Sequence, residues 1–563
     1  MVSSNRHPRT AAGGVAGAIR RRQWLLSAAA LCGAPACAME SAAAEAAAGD
    51  AAAADQLLVG MSMNNLLSLD PAAATGLDAL SVACNLYDGL LETDPHDPAR
   101  LQPALAGDWR VEAGGRRLML QLRDGVRFAS GQPLQAEHAA WSLQRVLRLN
   151  LAPASVWKSY GFSAAEVERQ VQASAPLTLQ IDLPQATDPT LVLMTLATSM
   201  SALVLDRDTV LAHEEKGDLG AAWLTTHAAG SGAFGLQTWR PKELLILRRQ
   251  PGHWRGEARL RRVVMRHMTE SQTLRLMLQR GDLDIAGGLS APDIRALARR
   301  PELVVETVRR GNFYYVAVNA RHPRFEDERV RRAVLRHLID FDGIAGSVLP
   351  FYGQAQQRPV PPGLPASLPN PGYRLDPAQA RRLLAEAGLA DGFDTTIRVL
   401  AEAPFSGIAT SLQATLAQAG IRAAILPGTG NQVYGAMRER RFEILVGRGG
   451  GGAEAHPHSS LRALVYNPDN RDSARLSNFQ GWRTGHADPA LNALIDQALV
   501  EPDAARQAAL YREAQQQFHQ RVGGLQPIAQ VTDTQVMRRE IRGYLGHPSG
   551  ATRLRDVHKQ VSA

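Results

Sequence analysis

Leu122-Arg123-Asp124-Gly125-Val126-Arg127-Phe128-Ala129-Ser130-Gly131-Gln132-Pro133-Leu134-Gln135-Ala136-Glu137 is where one backbone period gives way to another. Upstream, Leu118 to Leu122 alternates as a strand and runs into the turn Arg123-Asp124-Gly125. Downstream, Ala136 to Leu149 carries Trp141, Val146 and Leu149 at helical spacing. The same exchange recurs along the chain. Leu57 to Met63 reads as a strand and Thr75 to Leu90 as a helical pattern. Thr273 to Gln279 reads as a helix closed by Gly281, with the strand Leu283-Asp284-Ile285 after it. Tyr314 to Val318 is a strand, and Glu328 to Ile339 a helix with Val330, Val334, Leu335 and Leu338 on one side. Pro359 to Pro371 holds six prolines and must cross irregularly. Asp376-Pro377 opens a helix that ends near Gly388, with Asp as N-cap and Pro at its first position. Strands alternating with helices predict mixed α/β lobes.

The chain has 563 residues, 45% hydrophobic and 21% charged, which is globular composition and longer than one core supports. Its formal charge of +8 invites a nucleic-acid reading, but Arg6, Arg9, Arg20, Arg21 and Arg22 lie in the first 38 residues without any acid. About +3 is left on the rest, with no basic stripe interleaved with aromatics, so no nucleic-acid partner is expected. Arg20-Arg21-Arg22-Gln23-Trp24-Leu25-Leu26 opens an apolar run that ends in the small-x-small sequence Ala36-Cys37-Ala38. Residues 1–38 therefore read as a secretory leader, too short for a membrane span. The paired arginines point to twin-arginine export. The alternatives are an ordinary secretory leader with an extra arginine, or cleavage before a lipidated Cys37. The alanine-rich stretch 39–54 reads as a linker. Cys32 and Cys37 leave with the leader, and Cys84 remains as a small core residue. The mature chain is expected to be periplasmic, soluble and monomeric.

The sequence offers little to an enzyme. It has no His-Glu-x-x-His, Gly-x-Ser-x-Gly, Gly-x-Gly-x-x-Gly or Walker loop. No cofactor is implied. Gly447-Arg448-Gly449-Gly450-Gly451-Gly452 lacks the Lys-Ser/Thr pair that would hold phosphates and reads as a segment of close backbone approach near a cleft. Glu454 and His456-Pro457-His458 follow it. Metal binding there is disfavoured, because side chains two apart in extended chain point in opposite directions.

Several stretches resemble one family, the extracytoplasmic solute-binding proteins of peptide and nickel ABC transporters, of the large oligopeptide- and dipeptide-binding type. Asn85-Leu86-Tyr87-Asp88-Gly89-Leu90-Leu91 resembles the family's "N-x-Y-D-x-L" helix end. The stretch Leu122 to Glu137 resembles its signature "L-R-x-G-V-x-F-x-D/S-G-x-P-L-x-A-E-D-V", with His138 where the pattern carries aspartate. Gly230-Ser231-Gly232-Ala233-Phe234, Pro251-Gly252-His253-Trp254, Gly281-Asp282-Leu283-Asp284-Ile285, Val330-Arg331-Arg332-Ala333-Val334 and Asp376 to Gly388 match further blocks in family order.

The resemblance implies a two-lobed periplasmic binding protein fold, with an interlobe hinge and a small extra subdomain in the first lobe. It implies a first lobe over 55–310, a second over 311–525, and a return segment 526–563 packing on the first. The expected partners are a peptide or other small ligand and an ABC permease with its ATPase subunits. An opine, a modified amino compound, a nickel chelate or a sensor role are the alternatives. In dipeptide-binding relatives the stretch at Gly450 to His458 reads like "W-T-G-D-N-G-D-P-D", whose first aspartate holds the ligand's ammonium. That aspartate falls on Ala453 here, and Gly450 replaces the tryptophan. The tentative ligand-binding set is Gly450, Gly451, Gly452, Glu454, His456 and His458, with room opened at Gly450 for a bulkier ligand.

Overall fold

The computed structural model describes residues 55–451 and 454–560. The leader 1–38, the linker 39–54 and Gly452 lie outside the described residues. Two long strands organise the rest. Leu303–Val318 and Leu525–Arg538 pair antiparallel, and the register breaks between Arg309, opposite Thr532, and Phe313, opposite Gln530. On one side of that break Leu525–Arg538 pairs with Ile285–Gly287, which pairs in turn with Gln56–Met61. Arg262–His267, Leu244–Arg249 and Phe234–Arg240 complete this half. On the other side Leu303–Val318 pairs with Ile444–Gly449, followed by Asp394–Leu400 and Arg422–Gly428. The result is two α/β lobes joined by crossing strands.

The second lobe is built from parallel strand–helix–strand units. Asp394–Leu400 lies parallel to both Arg422–Gly428 and Ile444–Gly449, with the helices Phe405–Ala417 and Gly430–Arg438 as crossovers. Ile397, Val399, Ile444 and Val446 are fully buried in its core. The first lobe carries a separate four-stranded antiparallel sheet from Ala106–Glu112, Arg117–Leu122, Thr178–Asp182 and Val171–Ala175, covered by Ala136–Leu149. Leu118, Leu120, Leu179 and Ile181 fill the space beneath that helix.

His138 has a physical account. Its Nδ1 accepts the Gln135 N–H at 3.1 Å, closing a capping box at the start of Ala136–Leu149. Imidazole thus does what a carboxylate would do at that position.

The short motifs converge on one buried carboxylate. Asp88 accepts hydrogen bonds from Ser231 Oγ at 3.0 Å and Trp254 Nε1 at 2.9 Å. His253 lies 3.5 Å from it and Arg553 3.6 Å. Burial alone would raise its pKa, but His253, Arg553 and Trp254 outweigh that and hold it below the usual carboxylate range. A Cβ on Gly230 would lie 2.2 Å from Leu86 O, and one on Gly232 would lie 2.5 Å from Asn85 O. Those glycines let two motif segments touch.

Cys84 is buried beside this network, and burial pushes its thiol up to about 12. It should therefore not react with a maleimide at pH 8 in the native protein and should react fully in denaturant. Labelling followed by intact mass checks this; fast native labelling would mean that the segment opens.

Some elements differ from expectation. The strand expected at Leu283 to Ile285 lies at Ile285–Gly287. The helix expected over Glu328 to Ile339 is α-helical only over Glu328–Arg332 and continues as a π-turn, Ala333–His337. Arg331 there donates to the carbonyls of Val522 at 3.0 Å and Phe325 at 2.8 Å, tying the helix to the chain's return. Among the described residues no helix is long and apolar enough to cross a membrane.

Candidate functional site

Two cavities meet at Arg310, in the break between the crossing strands. Arg310 is 7% exposed; its guanidinium donates to Asp533 and to the carbonyl of His547. The first cavity, about 440 Å³, is walled by Pro95 to Pro98 and Gly546 on the first lobe. Pro361 to Leu364, Glu454 and Ser460 face them from the second. The other, about 460 Å³, is bounded by Asn65, Asp78, Gly287 and Asp533, with Arg448 reaching in from the second lobe.

Each charge is placed by local structure. Asp78 stands in the first turn of Leu77–Leu86, and burial raises its pKa against the lowering effects of Asn65 and Arg448. Arg448 is exposed near the end of Ile444–Gly449; its N–H donates to Tyr434 Oη at 3.0 Å. Glu454 is half-buried on the cavity wall, and burial raises its pKa. A cleft with a cation on one lobe and carboxylates on both can hold a zwitterion.

The six residues singled out from the sequence separate in the structure. Glu454 lines the cavity. At Gly450 and Gly451 the space a side chain would take is filled by the protein itself. A Cβ on Gly450 would lie 2.9 Å from Phe313 Cδ2 and 3.1 Å from Leu464 Cδ2. A Cβ on Gly451 would lie 2.3 Å from Ser460 Oγ. The room expected at Gly450 is taken by the protein's own core. The glycine run is also partly strand, since Gly447 and Gly449 pair with Tyr315 and Phe313.

The two histidines do not share one extended segment: His456 is extended, but His458 already lies in a helix. His456 is the N-cap of Pro457–Val465, and its Nδ1 accepts the His458 N–H at 3.2 Å. Its Nε2 lies 3.1 Å from Asp188 Oδ2. His458 is 2% exposed beside Tyr511, and burial, with Arg462 and His456, lowers its pKa. Among the described residues no cluster of three or more histidines, cysteines or acids is arranged for a metal. Sequence reasoning missed Arg448, Asp78 and Arg310. Arg448 is visible inside the glycine run, but the glycines draw the reading.

Residues 100–472 match the bacterial extracellular solute-binding proteins, family 5. The chain belongs to that family. It is a solute-binding protein, and the family is one of binding proteins rather than enzymes. The glutathione-binding protein GsiB of Escherichia coli K12 is 25% identical over 472 residues, covering 80% of this chain and 85% of the relative. A dipeptide-binding protein from Pseudoalteromonas sp. SM9913, solved with Met-Leu, superposes with a TM-score of 0.75 at 22% identity. That match covers 90% of this chain and 100% of the other. MoaA from A. tumefacien R10, solved with mannopinic acid, gives 0.74 at 20% identity, covering 90% and 99%. The family explains why the lobes cross twice: a cleft between two joined bodies can close on a ligand.

Proposed function

We propose that this protein captures a peptide or peptide-like small molecule between its lobes and delivers it to the permease of an ABC importer. The observation that carries this reading is the charge pattern of the cleft, with Arg448 on the second lobe and Asp78 on the first. A peptide brings a carboxylate and an ammonium, and these two residues complement them. Glu454 offers a second site for an ammonium in the adjoining cavity. Relatives named for glutathione and crystallised with Met-Leu favour the same class. Opines are the second reading, favoured by the mannopinic acid bound to MoaA and by the absence of an aspartate at Ala453.

A lobe boundary near residue 311 fits this role, since the register break between Arg309 and Phe313 is a natural place for a hinge. On the return strand the break falls between Gln530 and Thr532, and Ile528 and Ala529 still pack in the second lobe, so the crossing there lies past the expected residue 526. The arginine-rich leader supports export to the periplasm with cleavage after Ala38. Closure follows only from a ligand that binds the closed form better than the open one.

The test is calorimetry on ligand-stripped protein with reduced glutathione, Met-Leu and mannopinic acid. One of these should bind, and Arg448→Gln should weaken it about tenfold to a hundredfold, the worth of a charge-assisted hydrogen bond of about 1.5–3 kcal/mol. Silence toward all three overturns the ligand class. Affinity kept within twofold in both Arg448→Gln and Asp78→Asn overturns the assignment of the cleft charges.

A further inference from the structure

Away from the crossing strands, the second lobe reaches the small subdomain of the first at Asp188. This residue starts the helix Pro189–Thr198, and its two oxygens do different work. Oδ1 accepts the Thr190 N–H at 2.8 Å and caps the helix. Oδ2 faces the other lobe, where His456 Nε2 lies at 3.1 Å and Gln507 Nε2 donates at 3.0 Å. The carboxylate and the imidazole are both nearly buried, with side chains 8% and 9% exposed. Leu499, also from the second lobe, packs against the subdomain core nearby.

His456 is fixed from its own side. Its Nδ1 already accepts the His458 N–H, so the neutral ring carries its proton on Nε2 and donates it to Asp188. Two helix caps therefore point their spare polar atoms at each other across the lobes. Burial alone would raise the Asp188 pKa, but His456, Gln507 and Thr190 outweigh it and hold the carboxyl below its usual range. The carboxylate stays ionised in this arrangement.

We propose that Asp188, His456 and Gln507 form an interlobe latch: positioning residues outside the ligand cavities that hold the lobes together and so raise affinity for whatever the cleft binds. Ligand binding is linked to closure, so a contact made only in the closed form adds to affinity without touching ligand. The latch does not depend on the ligand class proposed above.

Conservative changes isolate it. Asp188→Asn keeps an oxygen for Thr190 and caps as well as aspartate, but turns an amide toward two donors. His456→Asn keeps a cap for Pro457–Val465 and is too short for Asp188. Spin labels at Ser174→Cys and Arg512→Cys, both exposed and on opposite lobes, report the distance between them in ligand-free protein. Each variant should lower the ratio of short- to long-distance populations about tenfold, with an unchanged melting temperature. The double variant should open no further than Asp188→Asn alone, because that single change already loses the contact His456 makes. If Asp188→Asn fails to fold, His456→Asn decides. Wild-type distances in the folded variants, additive opening, or a ligand-free wild type already wholly in the long-distance state would each overturn the latch.

Discussion

Arg145→Met is expected to destabilise the first lobe by about 3–5 kcal/mol. Arg145 and Asp70 are fully buried, with side chains 0% exposed on both sides. They meet in a bidentate pair, with both N–O distances 2.7 Å. Arg145 Nε also donates to the Leu219 carbonyl at 2.8 Å, and Asp70 accepts the Ala72 N–H at 2.9 Å. Removing the guanidinium strands a buried carboxylate and takes a donor from the Leu219 carbonyl. The pair itself need not be worth that much, because burying two charges costs nearly what their attraction returns. Asp70→Leu combined with Arg145→Met should therefore lie closer to wild type than Arg145→Met alone. Hydrogen exchange in the helix Ala136–Leu149 is the appropriate readout, since a two-lobed protein need not unfold in one step. Protection lost by less than about 1 kcal/mol in Arg145→Met would contradict this account.

Legibility follows sequence distance and the kind of physics involved. The helix Ala136–Leu149 is readable to the residue because its apolar positions repeat at helical spacing over its own length. The motif blocks are readable as a set, and Asp88 shows why they come as a set. Ser231 and Trp254 reach that one carboxylate, while Gly230 and Gly232 allow the backbone contact with Leu86 and Asn85 that brings it there. Local words persist because they meet in space. The π-turn at Ala333–His337 is not legible, since it keeps the apolar side of a helix while changing the hydrogen-bond step.

The site is harder to read. Asp188 and His456 are 268 residues apart, and no period or spacing links them. Pro457 reads as stiffening the histidine pair, which is therefore taken as extended chain. Proline at the first position of a helix, after a histidine N-cap, gives the same letters but turns the chain helical from Pro457, so that only His456 is extended. Arg448 escapes notice for a related reason: beside glycine it reads as loop, yet it is strand, and exposed toward the cavity.

Gly450→Ala separates the two readings of the glycine run. If Gly450 gives space to a ligand, alanine should weaken binding and leave the fold alone. The packing around it predicts the reverse. Its φ of +112° is a conformation that other residues rarely adopt, and a Cβ there would press on Phe313 at 2.9 Å. Phe313 is fully buried and pairs with Gly449 on one side and Gln530 on the other, at the register break of the crossing strands. It has no free direction in which to retreat. Backbone strain and overpacking together should cost about 2–4 kcal/mol. Gly435→Ala is the control: it lies in the helix Gly430–Arg438 with open space around its Cβ. Alanine there should stabilise by about 0.5–1 kcal/mol, because glycine is a poor helix former. Thermal and urea unfolding of the two variants should therefore shift in opposite directions. A Gly450→Ala protein as stable as wild type but impaired in binding would return the run to the ligand. A destabilised protein whose folded fraction binds normally would place Gly450 in the core between Phe313 and Leu464.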